Sequence, residues 1–316
     1  MSATSSPPTT ELIHRDVQNS TLDESFKARF LDARADATWR AYQTDWRIFT
    51  EWVTSNTPPT RPAITMPASP QLVAQFLFHE EDSGRAKATI HRRCSSIARA
   101  HDAAGKPDPT KTPTVREALR SIRRRMAKAG KKAAQATPFS LDQIRQALPM
   151  LDTHHRVIVA VAFLSACRRS EIAALKNKDV SLDDEKGVRL YISISKTDQE
   201  GDGRHVFIPD QAGGIDIRRI IRDYILIRGE GHPGDSFIGV GDRAVAKAAK
   251  RVASILGLDP EHYSGHSFRA GFATSAAAAG CPPHTIMEQT GHKSLRTIDG
   301  YIRVATGFDK SPAKFL

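Results

Sequence analysis

VRLYISISKTDQEGDGRHVFIP, residues 188–209, is the stretch in which the hydrophobic period of this chain changes. Val188, Leu190, Ile192 and Ile194 fall on alternate positions, as in a strand with one face on a core. Gly201-Asp202-Gly203 supplies turn residues, and HVFIP reads as the return strand of an antiparallel hairpin. Lys196 is thereby placed where a strand meets a loop. Outside this hairpin the apolar residues recur at three and four, so the chain reads as mainly α with one small antiparallel β-sheet.

Upstream, Trp39, Tyr42, Trp46, Phe49 and Val53 line one face of a helix, and SPQLVAQFLFHEE (69–81) reads as a second. Ile90, Cys94, Ile97 and His101 form another stripe, and Val115, Leu119, Ile122 and Met126 a fourth. Both should face a core, with His101 packed inside and Arg92, Arg99, Arg116, Arg120 and Arg123 turned outward. Thr114 with Glu117 reads as a capping box, as does Ser140 with Gln143. AKAGKKAAQATP (127–138) is small, basic and ends in proline, which suits a linker. Two domains are therefore expected: an N-terminal helical domain over 23–126, after a polar disordered leader 1–22, and a C-terminal, mostly helical domain over 139–316. VIVAVAFLSAC (157–167) is too short to span a bilayer and reads as a buried helix; no membrane partner is expected, and a cytoplasmic location is.

Charge locates a partner. The chain carries a net +11, yet Arg85–Lys132 alone holds fifteen Lys and Arg against three acids, so the remainder is close to neutral. Such a local excess suits a polyanion. The same stretch holds no Phe, Trp or Tyr on which single-stranded bases could stack, which favours duplex phosphate. Arg85, Lys87, Arg92, Arg93, Arg116, Arg120, Arg123 and Arg124 are the candidate contacts. Cys94, Cys167 and Cys281 are odd in number and lack metal-ligand spacing, so neither a disulfide frame nor a zinc site is expected. His154 and His155 read as a helix start rather than metal ligands.

Three short stretches carry chemistry: ACRRSEIAAL (166–175), with Arg168 or Arg169 ahead of Glu171; GHSFRAGFAT (265–274), with His266 and Arg269 on one helical face; and GHKSLRTIDGYIR (291–303), with His292 and Tyr301. Singly, each is weak. Together they resemble the tyrosine recombinase (phage integrase) family, and within it the Cre-like site-specific recombinases, over nearly everything after the leader. The family order is Arg, Lys, His-x-x-Arg, His or Trp, then Tyr. Arg168, Lys196, His266, Arg269, His292 and Tyr301 match it in turn, with Glu171 in support. Ala166 stands where the family usually has glycine, which leaves Arg169 as a rival to Arg168, and Lys186 is the rival to Lys196.

The resemblance implies an N-terminal core-binding (SAM-like) bundle and a C-terminal catalytic domain that grip duplex DNA from opposite faces. It also implies metal-free strand transfer without a cofactor. Tyr301 would attack the phosphate, forming a 3′-phosphotyrosyl link. Arg168 and Arg269 would hold the nonbridging oxygens, His266 would act as base, Lys196 as acid, and His292 would hydrogen-bond the phosphate. Arg243 and Lys247, on the helix 242–256, would contact DNA in the major groove. A homotetramer on DNA with inverted-repeat sites, monomeric or weakly associated when free, would exchange strands through a Holliday junction, and the tail with Phe308, Phe315 and Leu316 would dock into a neighbouring subunit. Two alternatives stay open here: a DNA-binding protein of the same fold without catalysis, and a telomere resolvase or type IB topoisomerase with the same chemistry.

Overall fold

In the computed structural model, residues 36–56, 66–130, 136–193, 203–239 and 241–306 are described. The expected leader, Lys196, part of the expected linker and the tail with Phe308, Phe315 and Leu316 lie outside them. The chain divides into two compact units, Met1–Ala134 and Gln135–Leu316.

The described part of the first unit is helical: α1 (Asp36–Asn56), α2 (Pro70–Asp82), α3 (Lys87–Ala103) and α4 (Pro113–Lys128). Its core collects Trp46, Phe49 and Val53 from α1, Val73, Phe76 and Leu77 from α2, Ile90, Cys94 and Ile97 from α3, and Val115, Ile122 and Met126 from α4. This is the three-and-four spacing read from the sequence, since only one stripe per helix can leave water. His101 is fully buried; it takes the Ala68 N–H on Nε2 at 2.9 Å and faces the Ile97 carbonyl through Nδ1 at 2.7 Å, so both ring nitrogens are spent on packing.

Two local expectations need correction. The cap of α4 is Thr112, not Thr114, and no side chain caps the helix. Pro113 opens α4 with its φ already set and without an N–H to satisfy, while the Thr112 hydroxyl turns back to Pro109 O at 2.7 Å. Arg93, expected among the DNA contacts, is only 6% exposed and lies between Glu80 of α2, which it bonds, and Asp45 of α1 at 3.6 Å. An arginine buried and paired inside the bundle ties helices together and is out of reach of a phosphate at the surface. Arg92 shares Asp45, gripping both carboxylate oxygens at 2.7 and 3.0 Å from a partly exposed position.

The second unit is built around α6 (Thr153–Ser165), whose residues 157–165 are all buried. Before it comes α5 (Leu141–Ala147), opened by the Ser140–Gln143 capping box; after it come α7 (Arg169–Ala174) and a three-stranded antiparallel sheet of β1 (Val180–Asp183), β2 (Gly187–Ile192) and β3 (Arg204–Pro209), in that order. Leu190 pairs with Val206 and Val188 with Ile208, so the alternation puts these four and Ile192 into the core. Then follow α8 (Ile217–Arg228), α9 (Arg243–Ile255), α10 (Gly265–Ala278), α11 (Pro283–Thr290) and α12 (Leu295–Thr306).

Phe139 seats α10. Its ring stacks against Tyr263 and Phe268, and its carbonyl comes so close to Gly271 that a Cβ there would lie 2.1 Å from the oxygen. Only glycine permits that approach, which sets the position of the helix carrying His266 and Arg269. Ala273, Ala277, Ile286 and Ile298 then join α10, α11 and α12 in a small apolar cluster against which Tyr301 packs. No helix among the described residues is long and apolar enough to cross a membrane, and no group of three or more His, Cys, Asp or Glu there could hold a metal ion.

Candidate active site

The site begins where α6 ends. Ala166 adopts a left-handed conformation (φ 52°, ψ 20°) and is fully buried; this is the position where glycine was expected by resemblance, and the backbone explains why glycine would suit it. The turn frees the Ala166 carbonyl and launches Arg168 as the N-cap of α7. Glu171 answers from within the same turn: its Oε2 accepts the Arg168 backbone N–H at 3.0 Å and its Oε1 the Arg168 Nη1 at 2.7 Å. Arg169 leaves the site, pairing with Asp242 at 3.2 Å on the surface. Of the two rivals, Arg168 is therefore the one that enters the cluster.

Glu171 is held between two cations. Arg204, the first residue of β3, reaches Glu171 Oε2 with Nη2 at 3.1 Å and Gln289 O with Nη1 at 2.9 Å. Burial alone would raise the Glu171 pKa; the N–H and guanidinium of Arg168, with Arg204, outweigh it and hold the carboxyl below the usual carboxylate range.

Arg269 lies at the centre and is 2% exposed. Its Nη1 donates to Ala166 O at 2.8 Å and also to Thr290 O, and its Nη2 faces His292 Nε2 at 2.8 Å. Burial, then the neighbouring Arg168 charge, lowers its pKa to about 10, so it stays cationic at neutral pH. Arg168 Nη2 meets the Gly291 carbonyl at 3.3 Å, which brings the second guanidinium to the same turn.

His266, near the start of α10, keeps an edge open to solvent and places Nε2 3.0 Å from the Tyr301 hydroxyl. Packing around the ring, then Arg269 and Arg168, presses its pKa below the usual histidine value. The neutral ring so favoured can receive the phenol hydrogen. Burial pushes Tyr301 the other way, above the ordinary tyrosine value, with Arg269 opposing. The phenol is thus held as a neutral hydroxyl next to a vacant base, rather than as a standing phenolate. His292, 6.4 Å from Tyr301 between ring centres, is lowered to about 3 by burial, Arg269, Arg168 and His266, and is neutral.

Residues 134–307 match the model of the phage integrase family, more than half of the chain. The chain belongs to that family. It is similar along most of its length to the integrase/recombinase xerD homolog of Selenomonas ruminantium, with 30% identity over 304 residues, covering 90% of this chain and 86% of the relative. It is also similar to recombinase cre of Escherichia phage P1, with 24% identity over 312 residues, covering 89% and 88%. Among solved structures, the XerH site-specific recombinase in a post-cleavage complex gives a TM-score of 0.63 at 17% identity, covering 97% of this chain and 93% of that one. The Tn1549 transposon integrase gives 0.60 at 16%, covering 97% and 98%. These two likenesses are of fold, and they agree with a mainly helical chain carrying a small antiparallel sheet. Family membership makes the chain a tyrosine-recombinase enzyme.

For this integrase-family chain, the structure brings Arg168, Glu171, His266, Arg269, His292 and Tyr301 into one cluster within a single unit. Lys196 lies outside the described residues; its strands, β2 and β3, are in place on either side. Lys186 sits at the β1–β2 turn, where its N–H bonds Asp183. Two members of the cluster escaped the sequence reading: Arg204 and Thr290. Arg204 follows the hairpin turn and could be any solvated strand charge; its partners Glu171 and Gln289 are remote in sequence. Among the expected DNA contacts, Arg85, Lys87, Arg116, Arg120, Arg123 and Arg124 are exposed in the first unit, and Arg243 and Lys247 on α9 in the second. His91, whose pKa is lowered by burial and then by Arg123 and Lys87, registers the positive field of α3 and α4.

Proposed function

We propose that this protein is a site-specific DNA recombinase that cleaves and rejoins duplex DNA through a 3′-phosphotyrosyl intermediate. The observation that carries the reading is the Tyr301 hydroxyl 3.0 Å from His266 Nε2 in the same chain, beside Arg168 and Arg269. Tyr301 Oη attacks phosphorus as His266 Nε2 takes its proton. The bond from phosphorus to the 5′ oxygen breaks, and Lys196 supplies the proton that oxygen needs. Rejoining is the reverse: a 5′ hydroxyl attacks the phosphotyrosine and the phenol leaves.

The two guanidiniums supply planar donors for the nonbridging oxygens as charge builds there, which a lysine point charge cannot reproduce. Their effect on the phenol is largest in the transition state. A raised tyrosine and a lowered histidine make poor partners for a free-standing proton transfer, so the transfer belongs with P–O bond formation. His292 accepts from Arg269 on Nε2 and so steadies that guanidinium against the phosphate, and Glu171 with Arg204 keeps Arg168 in place.

DNA as partner is supported by the charge excess of Arg85–Lys132 and by neighbours of the same fold solved with DNA, XerH with its difH substrate and the Tn1549 integrase with a transposon end. In this reading the N-terminal domain (23–126) and the catalytic domain (139–316) both contact the duplex, the enzyme works in the cytoplasm, and a homotetramer assembled on inverted-repeat sites exchanges strands through a Holliday junction. The test is a plasmid carrying two copies of a candidate site taken from the DNA flanking the gene. Deletion or inversion between the copies with the wild type, absent with Tyr301→Phe and absent from a plasmid without sites, supports the reading. Relaxation of supercoiled DNA without sites would instead mark a topoisomerase.

A further inference from the structure

Thr290 closes α11 and is fully buried one turn of chain from His292. Its Oγ1 has three polar neighbours: Ile286 O at 2.6 Å, Met287 O at 3.3 Å and His292 Nδ1 at 2.7 Å. A hydroxyl has one hydrogen, and carbonyls only accept. That hydrogen therefore goes back into the helix, to Ile286 O, and Oγ1 presents only lone pairs to His292. The hydrogen between Thr290 and His292 must then sit on Nδ1. In a neutral imidazole Nε2 is left bare, and what faces Nε2 is Arg269 Nη2 at 2.8 Å, a group that can only donate. The two ends of the ring agree: Arg269 donates to His292, His292 donates to Thr290, and Thr290 donates to Ile286.

Gly291 makes the chain possible. Its left-handed φ of 66° folds residue 292 back over residue 290, and a Cβ at Gly291 would lie 3.0 Å from the Arg204 guanidinium. The same turn presents the carbonyls of Thr290 to Arg269 and of Gly291 to Arg168.

We propose that Thr290 is a positioning residue for strand cleavage, whose hydroxyl fixes the tautomer and ring orientation of His292 so that its bare Nε2 accepts from Arg269 and holds that guanidinium toward the phosphate. This rests on the recombinase reading above. Were the hydroxyl lost, the Nδ1 hydrogen would have no acceptor in a buried position, and the alternative tautomer would set an Nε2 hydrogen against the Arg269 N–H. Either outcome turns the guanidinium that the phosphate needs. A residue that merely closed α11 by bonding Ile286 O would have no such effect on the ring.

The test compares wild type with Thr290→Ser, which keeps the hydroxyl, and Thr290→Val, which keeps the shape without it. Two readouts are taken on the full chain: the His292 tautomer by 15N NMR without DNA, and single-turnover cleavage of a nicked DNA carrying the candidate site. The inference expects Nδ1–H in wild type and Ser, a mixed or inverted tautomer in Val, cleavage by Ser within about twofold of wild type, and cleavage by Val lower by about 10- to 100-fold, as for other buried donors stripped of their acceptor. It is overturned if Val keeps the wild-type tautomer and rate, or if Ser fails as badly as Val, which would assign the effect to the methyl group. Because the spectrum needs no DNA, a wild type that cleaves nothing would sink the recombinase reading while the tautomer still decides the Thr290 contact. Unfolding midpoints by circular dichroism separate a misfolded Val variant from a folded one with a turned ring.

Discussion

Replacing Glu171 by Gln should cost the catalytic unit about 3 kcal/mol. The carboxylate is buried, and it is the shared acceptor for Arg168 and Arg204, whose side chains keep 22% and 21% of their surface. Removing one partner of a buried ion pair costs about 3–5 kcal/mol. Gln preserves volume and one acceptor oxygen, and both guanidiniums reach some water, which places the loss at the lower end. With a urea slope of about 2 kcal/mol per molar, the midpoint falls by about 1.5 M. Far-UV circular dichroism registers the helices of both units, whereas fluorescence of Trp39, Trp46 and Trp52, the three tryptophans of the chain, reads the first unit alone, so the shift should appear in the former and not in the latter. Linkage supplies a second check. The Glu171 carboxyl is held below its ordinary value, so its contribution is complete above the unfolded value of about 4.3 and is lost as the pH falls through the folded one. The gap between wild type and variant should therefore be full at pH 7 and shrink in acid. A loss under about 1 kcal/mol at pH 7, or a gap unchanged in acid, would refute the reasoning.

Other outcomes follow from the same geometry. With His266 as base and its pKa below about 6.5, single-turnover cleavage should stay flat from neutral pH upward and decline only at pH below that value, by up to about tenfold per unit; a decline already complete at pH 7 would remove His266 from that role. Neutralising Arg120 and Arg123 together should reduce the slope of log affinity against log salt by about 1.8, two phosphate contacts at about 0.9 each, measured by fluorescence anisotropy on duplex DNA. Arg93→Met should leave that slope unchanged, because its guanidinium is already paired with Glu80 inside the bundle; an equal reduction would return Arg93 to the DNA face.

What the chain's own order revealed, and what it hid, divides along the range of the interactions. Stripes such as Ile90, Cys94, Ile97 and His101 are legible because burial of one helix face is a local property, and all four are buried. The β2–β3 hairpin is legible for the same reason, its period-two residues entering the core. β1 is four residues long, too short to show a period, and it appears only through pairing with β2. Arg93 sits beside the stripe in a run of basic residues, and nothing nearby in sequence says that Asp45 and Glu80 will meet it from two other helices. Arg204 is hidden likewise, its partners lying 33 and 85 positions away. Thr290 is only two residues from His292, but its significance depends on the left-handed turn at Gly291 and on where its single hydrogen goes. Motif spacing identifies side chains that carry chemistry; the residues that hold them in place are set by tertiary contact.

The most direct measurement is made on a nicked DNA that carries a candidate target site and a label on the strand to be retained. Wild type and Tyr301→Phe are incubated with it and run on a denaturing protein gel. The account predicts a slower, labelled protein band with wild type and none with the variant, since the phenol oxygen beside His266 is the atom that becomes bonded to phosphorus. Equal bands from both proteins, or no band from wild type despite tight specific binding, would contradict it.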